Sequence, residues 1–348
     1  MNYTTGQSGI IGDLSALSDD YIPENISGRE TQLKEIRLCL GPVSRNYRPM
    51  NLWIYGPAGV GKTTTVKFLL KSLEKPYGIK TVYVNCWERR SFYSVLDKVI
   101  SELRILGAER PDTSFKMERL ERQLKEFFLI LVLDEIDRTP PGQRASLLYS
   151  LCQLERVGIV CISSDRDTLF DLDDRIMSRL NATQVEFKPY TVSDLFQILK
   201  IRAEMALLPK TWDRKLLEKI SGLANGDARV AIQTLKNAAY YAERSGAKRI
   251  FQEHLDRGWK DARTIKRTYL LNKLTEDHRI LFEIVRQKKE IISGDFWGAY
   301  LSNAEKRGLN PIALRTFSEY MNKLRDVGLV KVSRARVRGK VRLFKVAE

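Results

Sequence analysis

The sequence predicts an α/β protein in three parts: a parallel sheet with helices on both faces, a small helical domain, and a basic C-terminal domain of helices and a hairpin. Three observations carry this. Apolar runs such as Phe128 to Leu133 do not alternate with polar residues, which marks strands buried on both faces and therefore a parallel sheet. Helix-period stretches separate these runs. After Pro189-Tyr190 the strand pattern stops, and helical periodicity continues to about Asn272. The expected boundaries are 1–188, 189–262 and 263–348.

A chain of 348 residues can bury more than one core. Its net charge of +16 favours a polyanionic partner, either nucleic acid or an anionic membrane surface. No apolar run reaches the ~18 residues of a membrane span, and no amphipathic anchor helix is evident. Residues 1–20 lack a basic-then-apolar leader pattern and read as a flexible arm. A soluble, cytoplasmic protein without membrane partners is expected. Cys39, Cys86, Cys152 and Cys161 show no C-x-x-C spacing, which argues against zinc and disulfides. His254 and His278 lie in polar helical stretches and are expected at the surface.

Taken in order, Tyr21-Ile22-Pro23-Glu24 opens the folded part, and a helix runs to about Leu40. Leu52 to Tyr55 is the first strand, Lys80 to Asn85 the second, and Phe128 to Leu133 the third. Helical stripes at Leu96, Val99, Ile100 and Leu103, and at Leu120, Leu124 and Phe127, read as core packing, with a break at Gly107 to Ser114. A helix over Gln143 to Glu155 precedes the strand Val157 to Ile162, and Thr183 to Phe187 is a last short strand. Beyond residue 263, helices are expected at 276–287, 294–307 and 311–326, with Pro311 in a first helical turn. A hairpin of Leu329 to Val332 and Val341 to Val346 closes the chain.

The chemistry starts at Gly56-Pro57-Ala58-Gly59-Val60-Gly61-Lys62-Thr63-Thr64-Thr65, which fits the phosphate-loop pattern between a strand and a helix. Glycines let successive N–H groups and the helix N-terminus face an anion. Lys62 supplies a full charge to the β/γ-phosphates, and the Thr63 hydroxyl reaches Mg²⁺. Asp134 and Glu135 end a strand expected beside the loop strand. Asp134 is placed to hold Mg²⁺, directly or through water, and Glu135 to orient or deprotonate a water that attacks the γ-phosphate.

The charge lies elsewhere. Residues 263–348 hold 20 Lys and Arg against 9 Asp and Glu, a net of +11, while the rest carries only +5. On helix 311–326, Ile312, Phe317, Met321 and Leu324 form the expected buried stripe, leaving Arg315, Thr316, Ser318, Glu319, Asn322 and Lys323 for a major groove. Arg334, Arg336, Arg338, Lys340 and Arg342 line the hairpin and suit backbone phosphates or a narrow minor groove.

The loop, the D-E-x-D strand end, the polar strand tip Ser163-Ser164-Asp165, the Arg175-x-x-Ser178-Arg179 element and Gly226-Asp227-Ala228-Arg229 together resemble an AAA+ ATPase. Tyr21 to Glu24, Phe187-Lys188-Pro189-Tyr190 before a helix through Ile198 to Ala203, and the basic C-terminal domain narrow the resemblance to the archaeal origin-recognition initiators. These are homologues of origin recognition complex subunits and of cell division control protein 6. The likeness spans about residues 20–348 and implies an AAA+ sheet, a helical lid and a C-terminal winged helix. It implies that Gly59, Val60, Gly61, Lys62, Thr63 and Thr64 cradle ATP or ADP, with Tyr190 and Arg202 beside the nucleotide on the lid side. It implies Arg229 as a lid sensor of the γ-phosphate, and Arg179, with Arg175 second, as an arginine finger offered to a neighbouring subunit. It also implies DNA contact near 90–115, including Arg89 and Arg90. The tip residue is Ser164 where such proteins carry asparagine, so slow hydrolysis is expected.

The expected function is an ATP-switched initiator that binds origin double-stranded DNA and helps recruit or load the replicative helicase, alongside paralogous initiator subunits. A transcription regulator with a degenerate ATPase is the alternative. A translocating motor or clamp-loader subunit fits less well, because a motor does not require a basic winged helix fused to its lid.

Overall fold

The computed structural model describes residues 9–73, 78–105, 112–272, 274–326, 328–334 and 341–347. Two compact units divide at Trp259/Lys260. In the first, the elements are α1 (Glu30–Leu40), β1 (Leu52–Tyr55), α2 (Lys62–Leu73), β2 (Ile79–Asn85), α3 (Phe92–Glu102), α4 (Thr113–Gln123), β3 (Phe128–Asp134), α5 (Pro141–Cys152), β4 (Val157–Ser163), α6 (Asp167–Phe170), α7 (Asp174–Leu180) and β5 (Thr183–Glu186). Four helices follow: α8 (Val192–Ala206), α9 (Arg214–Leu223), α10 (Ala228–Arg244) and α11 (Gln252–Asn272), the last running past the division.

The five strands are parallel, in the order β2-β3-β4-β1-β5. Every residue of β3 and β4 is buried, as the unbroken apolar runs predict. One helical layer packs Leu96, Val99, Leu147 and Leu151 on one face of the sheet. The other packs Ile36, Val66, Leu69 and Leu70 on the opposite face. Asp134 does not end a strand that neighbours the loop strand: β4 lies between β3 and β1. An apolar run reports burial but carries no information on which strand lies beside it.

Residues 9–20 are not a loose arm. Ile11 and Leu207 form an antiparallel bridge, and Gly12 N–H donates to Ala206 O at 2.8 Å. The carboxylate of Glu243 accepts from the amides of Ile10 and Ile11 at 2.6 and 3.0 Å. Ile10, Ala16 and Leu17 are each 1% exposed, so this segment completes the core of the helical domain.

The second unit contains α12 (Glu276–Lys288), β6 (Glu290–Ile292), α13 (Ser293–Lys306), α14 (Leu314–Asp326), β7 (Val330–Arg334) and β8 (Arg342–Val346). Its antiparallel sheet runs β6-β8-β7, adding a short strand to the expected hairpin. Phe296 packs edge-on against Phe317 and Phe344, at 5.3 Å between ring centroids in each case. Helix α14 starts at Leu314, three residues after Pro311. The amide of Ile312 donates to the Tyr300 hydroxyl at 3.1 Å, which holds that stretch outside the helix.

Both histidines are buried. His254 accepts from Phe251 N–H at 3.1 Å, and His278 stacks on Tyr320 at 3.8 Å. Their helical stretches are polar overall, but each histidine falls on the inward face.

Candidate functional site

The C-terminal edge of a parallel sheet is where ligands bind in such folds, and the candidate residues converge there. Gly59 and Gly61 have φ of +78° and +85°. A Cβ on Gly59 would fall on the Asp227 carboxylate, and one on Gly61 on the Tyr190 hydroxyl. Only glycine fits at either position. Lys62 Nζ donates to the carbonyls of Gly56 and Pro57 at 2.6 and 2.8 Å, so its charge lies along the loop. Thr63 and Thr64 stand in the first turn of α2.

The loop is backed by groups from distant parts of the first unit. Ala228 N–H, at the start of α10, donates to Gly59 O at 2.9 Å. Arg29 Nε donates to Val60 O at 3.0 Å and Nη2 to Lys188 O at 2.7 Å. The Arg29 guanidinium lies 3.7 Å from the Tyr190 ring centroid. Burial raises the Tyr190 phenol above its usual range against the opposing charge of Arg29, so it stays a neutral donor. Arg229 is the second residue of α10, adjacent to the Ala228 contact. Asp227 caps this helix, accepting from Val230 N–H at 3.1 Å.

Arg202 is 7% exposed and turned to the N-terminal segment. It donates to Ala16 O at 2.5 Å and lies 4.2 Å from the centre of the Tyr21 ring. Burial lowers its pKa, an effect that the nearby Tyr21 and Tyr190 oppose. Its hydrogen bonds to the carbonyls of Ala16 and Tyr21 fix the segment that leads into Ile22.

Asp134 is 4% exposed. Its Oδ2 accepts from the Thr63 hydroxyl and from the Tyr83 hydroxyl, both at 2.7 Å. Its Oδ1 accepts from Glu135 N–H at 2.8 Å. Burial and the Asp134 carboxylate push the Tyr83 phenol well above its usual range. Glu135 has φ +53° in the left-handed region, which ends the strand and turns the chain away after Asp134. Ser164 lies one residue past the Tyr55↔Ser163 register pair and so beside the start of the loop. Its hydroxyl donates to Asp137 Oδ2 at 2.8 Å.

These residues fit a nucleotide with a divalent cation. The glycine-rich loop carries no side chain of its own at Gly59 or Gly61 and leads into the N-terminus of α2, and a threonine hydroxyl is already coupled to a buried carboxylate. Thr63 and Asp134 would hold the cation, and Gly59 to Thr64 the phosphates.

Arg175 and Arg179 are exposed on α7, and Arg179 lies over the Tyr149 ring at 5.0 Å. They are not part of the loop cluster. Arg89 and Arg90 are exposed after β2, with Arg90 and Arg138 at 5.0 and 4.8 Å from the Trp87 ring centroid.

In the second unit, Phe317, Met321 and Leu324 are buried on α14. Arg315, Ser318, Glu319 and Lys323 are exposed on the opposite face. Arg315 pairs with Glu319 at 3.3 Å, an exposed pair worth little. Arg342 is exposed on β8, and Arg334 ends β7. Arg336, Arg338 and Lys340 lie outside the described residues.

Arg29 and Tyr83 are additions to the residues singled out from sequence. For Tyr83 a signal exists: Thr81, Tyr83 and Asn85 alternate with the buried valines Val82 and Val84, so one face of β2 is polar at its loop end.

Comparison with known proteins agrees with this architecture. Residues 25–162 match the model of an AAA ATPase domain, 196–260 that of a Cdc6 AAA+ ATPase-type lid domain, and 280–348 that of a CDC6 C-terminal winged helix domain. The chain is 30% identical to the ORC1-type DNA replication protein of Pyrococcus furiosus over 350 residues, covering 92% of this chain and 83% of that protein. It is likewise 30% identical to an ORC1-type DNA replication protein of Thermoplasma volcanium, covering 94% and 86%. Among solved structures it resembles the Aeropyrum pernix ORC1 protein in complex with DNA, with 27% identity, a TM-score of 0.72, and coverage of 97% and 94%.

Proposed function

This chain belongs to the ORC1/Cdc6 family of AAA+ DNA replication proteins, and we propose that it is an ATP-switched initiator that binds origin double-stranded DNA and helps recruit or load the replicative helicase. The observation that carries the switch is the Ala228–Gly59 hydrogen bond, because the helix bearing Arg229 begins on the phosphate loop. A change in the loop is thereby felt in the lid without an intermediary.

In this reading Gly59 to Thr64 bind the phosphates of ATP or ADP, and Lys62 neutralises charge on the β/γ oxygens. Bound Mg²⁺ supplies Lewis-acid stabilisation of the phosphoryl charge. Thr63 and Asp134 hold that cation, and Glu135 takes the proton of the attacking water. Ser164, with its proton directed to Asp137, can accept a hydrogen bond from that water but is a poor donor towards phosphate. Hydrolysis is therefore slow and ends a bound state more than it drives a cycle. Arg229 reads the γ-phosphate from the lid, and Tyr190 closes the lid side. Arg202 lies with Tyr190 beside the nucleotide on the lid side. Arg179, with Arg175 second, reaches the ATP of a paralogous subunit.

Three functional parts serve this cycle: an ATPase core at 1–188, a lid at 189–262 and a winged helix at 263–348. Arg315 and Lys323 contact the major groove. Arg334, Arg336, Arg338, Lys340 and Arg342 contact phosphates or the minor groove, and Arg89 and Arg90 add a contact from the core. The protein works in the cytoplasm on the nucleoid; among the described residues no helix is long and apolar enough to cross a membrane.

A genome-wide map of binding sites tests this. One or a few origin sites are expected, and binding spread over many promoters would favour the transcription-regulator reading.

A further inference from the structure

Asp134 uses its carboxylate unevenly. An ionised carboxylate offers roughly four acceptor sites, two on each oxygen. Oδ2 accepts two hydroxyl donors, Thr63 and Tyr83, each at 2.7 Å. Oδ1 accepts one amide, that of Glu135, at 2.8 Å. Tyr83 reaches this point because β2 and β3 are in parallel register, with Tyr83 opposite Val132 and Asn85 opposite Asp134. Tyr83, Asn85 and Asp134 thus share the sheet face that meets α2. There Thr63 meets the carboxylate, and Lys67, one turn later, lies 4.4 Å from the Tyr83 ring centre.

We propose that Tyr83 is a positioning residue for the divalent cation: with Thr63 it saturates Asp134 Oδ2 and leaves one acceptor site, on Oδ1, for a water bound to the metal. The Thr63 oxygen keeps its lone pairs for the cation while its proton stays on Oδ2. Asp134 then acts through water. The inference rests on the nucleotide-site reading above.

The test is a magnesium titration of the full chain with a fluorescent ADP analogue as probe. Tyr83→Phe keeps the ring and removes the hydroxyl. Partners that orient metal ligands typically contribute ten- to a hundredfold in metal affinity, so the Mg²⁺ midpoint is expected to rise about tenfold. Probe affinity in EDTA should stay at the wild-type value. Lys67→Met, which removes the cation over the ring but keeps the hydroxyl, should leave the midpoint unchanged. In an Asp134→Asn background, adding Tyr83→Phe should produce no further shift, because both act through one carboxylate. An unchanged midpoint in Tyr83→Phe beside a responsive wild type, or additive shifts in the double variant, would overturn the role of Tyr83. A wild-type protein whose probe binding ignores magnesium would overturn the cation site and with it the role of Tyr83, whereas a wild type that binds no probe at all would overturn the nucleotide-site reading.

Discussion

The amide of Ala228 donates to the carbonyl of Gly59 at 2.9 Å, and the space beside Gly59 where a Cβ would stand is taken by the carboxylate of Asp227. Loop and lid therefore share one contact surface, and glycine is required there by the lid as much as by a phosphate. Gly59→Ala should displace Asp227, strain the backbone at φ +78° and lift the start of α10. Such strain costs about 1–3 kcal/mol. Nucleotide affinity is expected to fall roughly tenfold or more, since ~1.4 kcal/mol is a factor of ten. Titration with a fluorescent ADP analogue measures this, and wild-type affinity would mean that the latch does not matter.

Ser164 sets the hydrolysis rate in this reading. Its hydroxyl proton is directed to Asp137 at 2.8 Å, so it lacks a donor for the phosphate side. Ser164→Asn restores an amide. The turnover number is expected to rise roughly a hundredfold, the lower end of the range for one transition-state donor. Single-turnover measurement of phosphate release gives the rate, and a rate equal to or below wild type counts against the role of Ser164.

On α14, Arg315 is almost fully exposed and paired with Glu319 at 3.3 Å. Arg342→Ala should weaken duplex DNA binding on all sequences, whereas Arg315→Ala, in the major groove, should weaken it on the cognate site and relax sequence preference there. Removing one arginine–phosphate pair should lower the slope of log affinity against log salt by about 1. Glu319→Gln should tighten binding, because it removes a competing carboxylate. Fluorescence anisotropy on cognate and unrelated duplexes at several salt concentrations reads all three; an unchanged slope in Arg342→Ala would exclude phosphate binding by that arginine, and unchanged sequence preference in Arg315→Ala would exclude base contact.

His278 is 6% exposed and stacked on Tyr320. Burial lowers its pKa to about 4, with Asp277 opposing and Lys323 adding to the shift. The folded state thus binds this proton less readily than the unfolded state, where the histidine titrates near its ordinary value of 6.5. Its contribution to stability is complete above about pH 6.5 and is lost as pH falls towards 4, by roughly 2–3 kcal/mol. His278→Phe retains the stack without the titration. Melting of the second unit should then depend less on pH between 7 and 5 than in wild type; parallel pH curves for the two proteins would refute this.

The strand–loop–helix unit is legible in sequence because its chemistry lies within a short stretch of chain. The buried β3 and β4 are legible because unbroken apolar runs have one physical meaning. The strand order is not, since Val157 to Ser163 carries no mark of lying between β1 and β3. Nor is the docking of residues 9–20. Ile10, Ile11, Leu14 and Leu17 are too few to show a period, and their partners Ala206 and Glu243 are about two hundred residues away. Arg29 is hidden for a related reason: a charged residue in a turn reads as exposed until Val60, Lys188 and Tyr190 close around it. Long-range contacts of polar groups are what local patterns cannot report.

The pinned N-terminal segment has a mechanical consequence. Residues Ile10 to Leu17 lie on the helical domain, and the chain passes from them into the sheet domain through Tyr21 to Arg29. It returns to the helical domain through Phe187 to Thr191. Arg29 touches both crossings, holding Lys188 O and stacking on Tyr190. A body joined at two adjacent points turns readily about the line through them and resists other rotations. A lid that moves would then swing like a door on two hinges, with Arg29 at the pin.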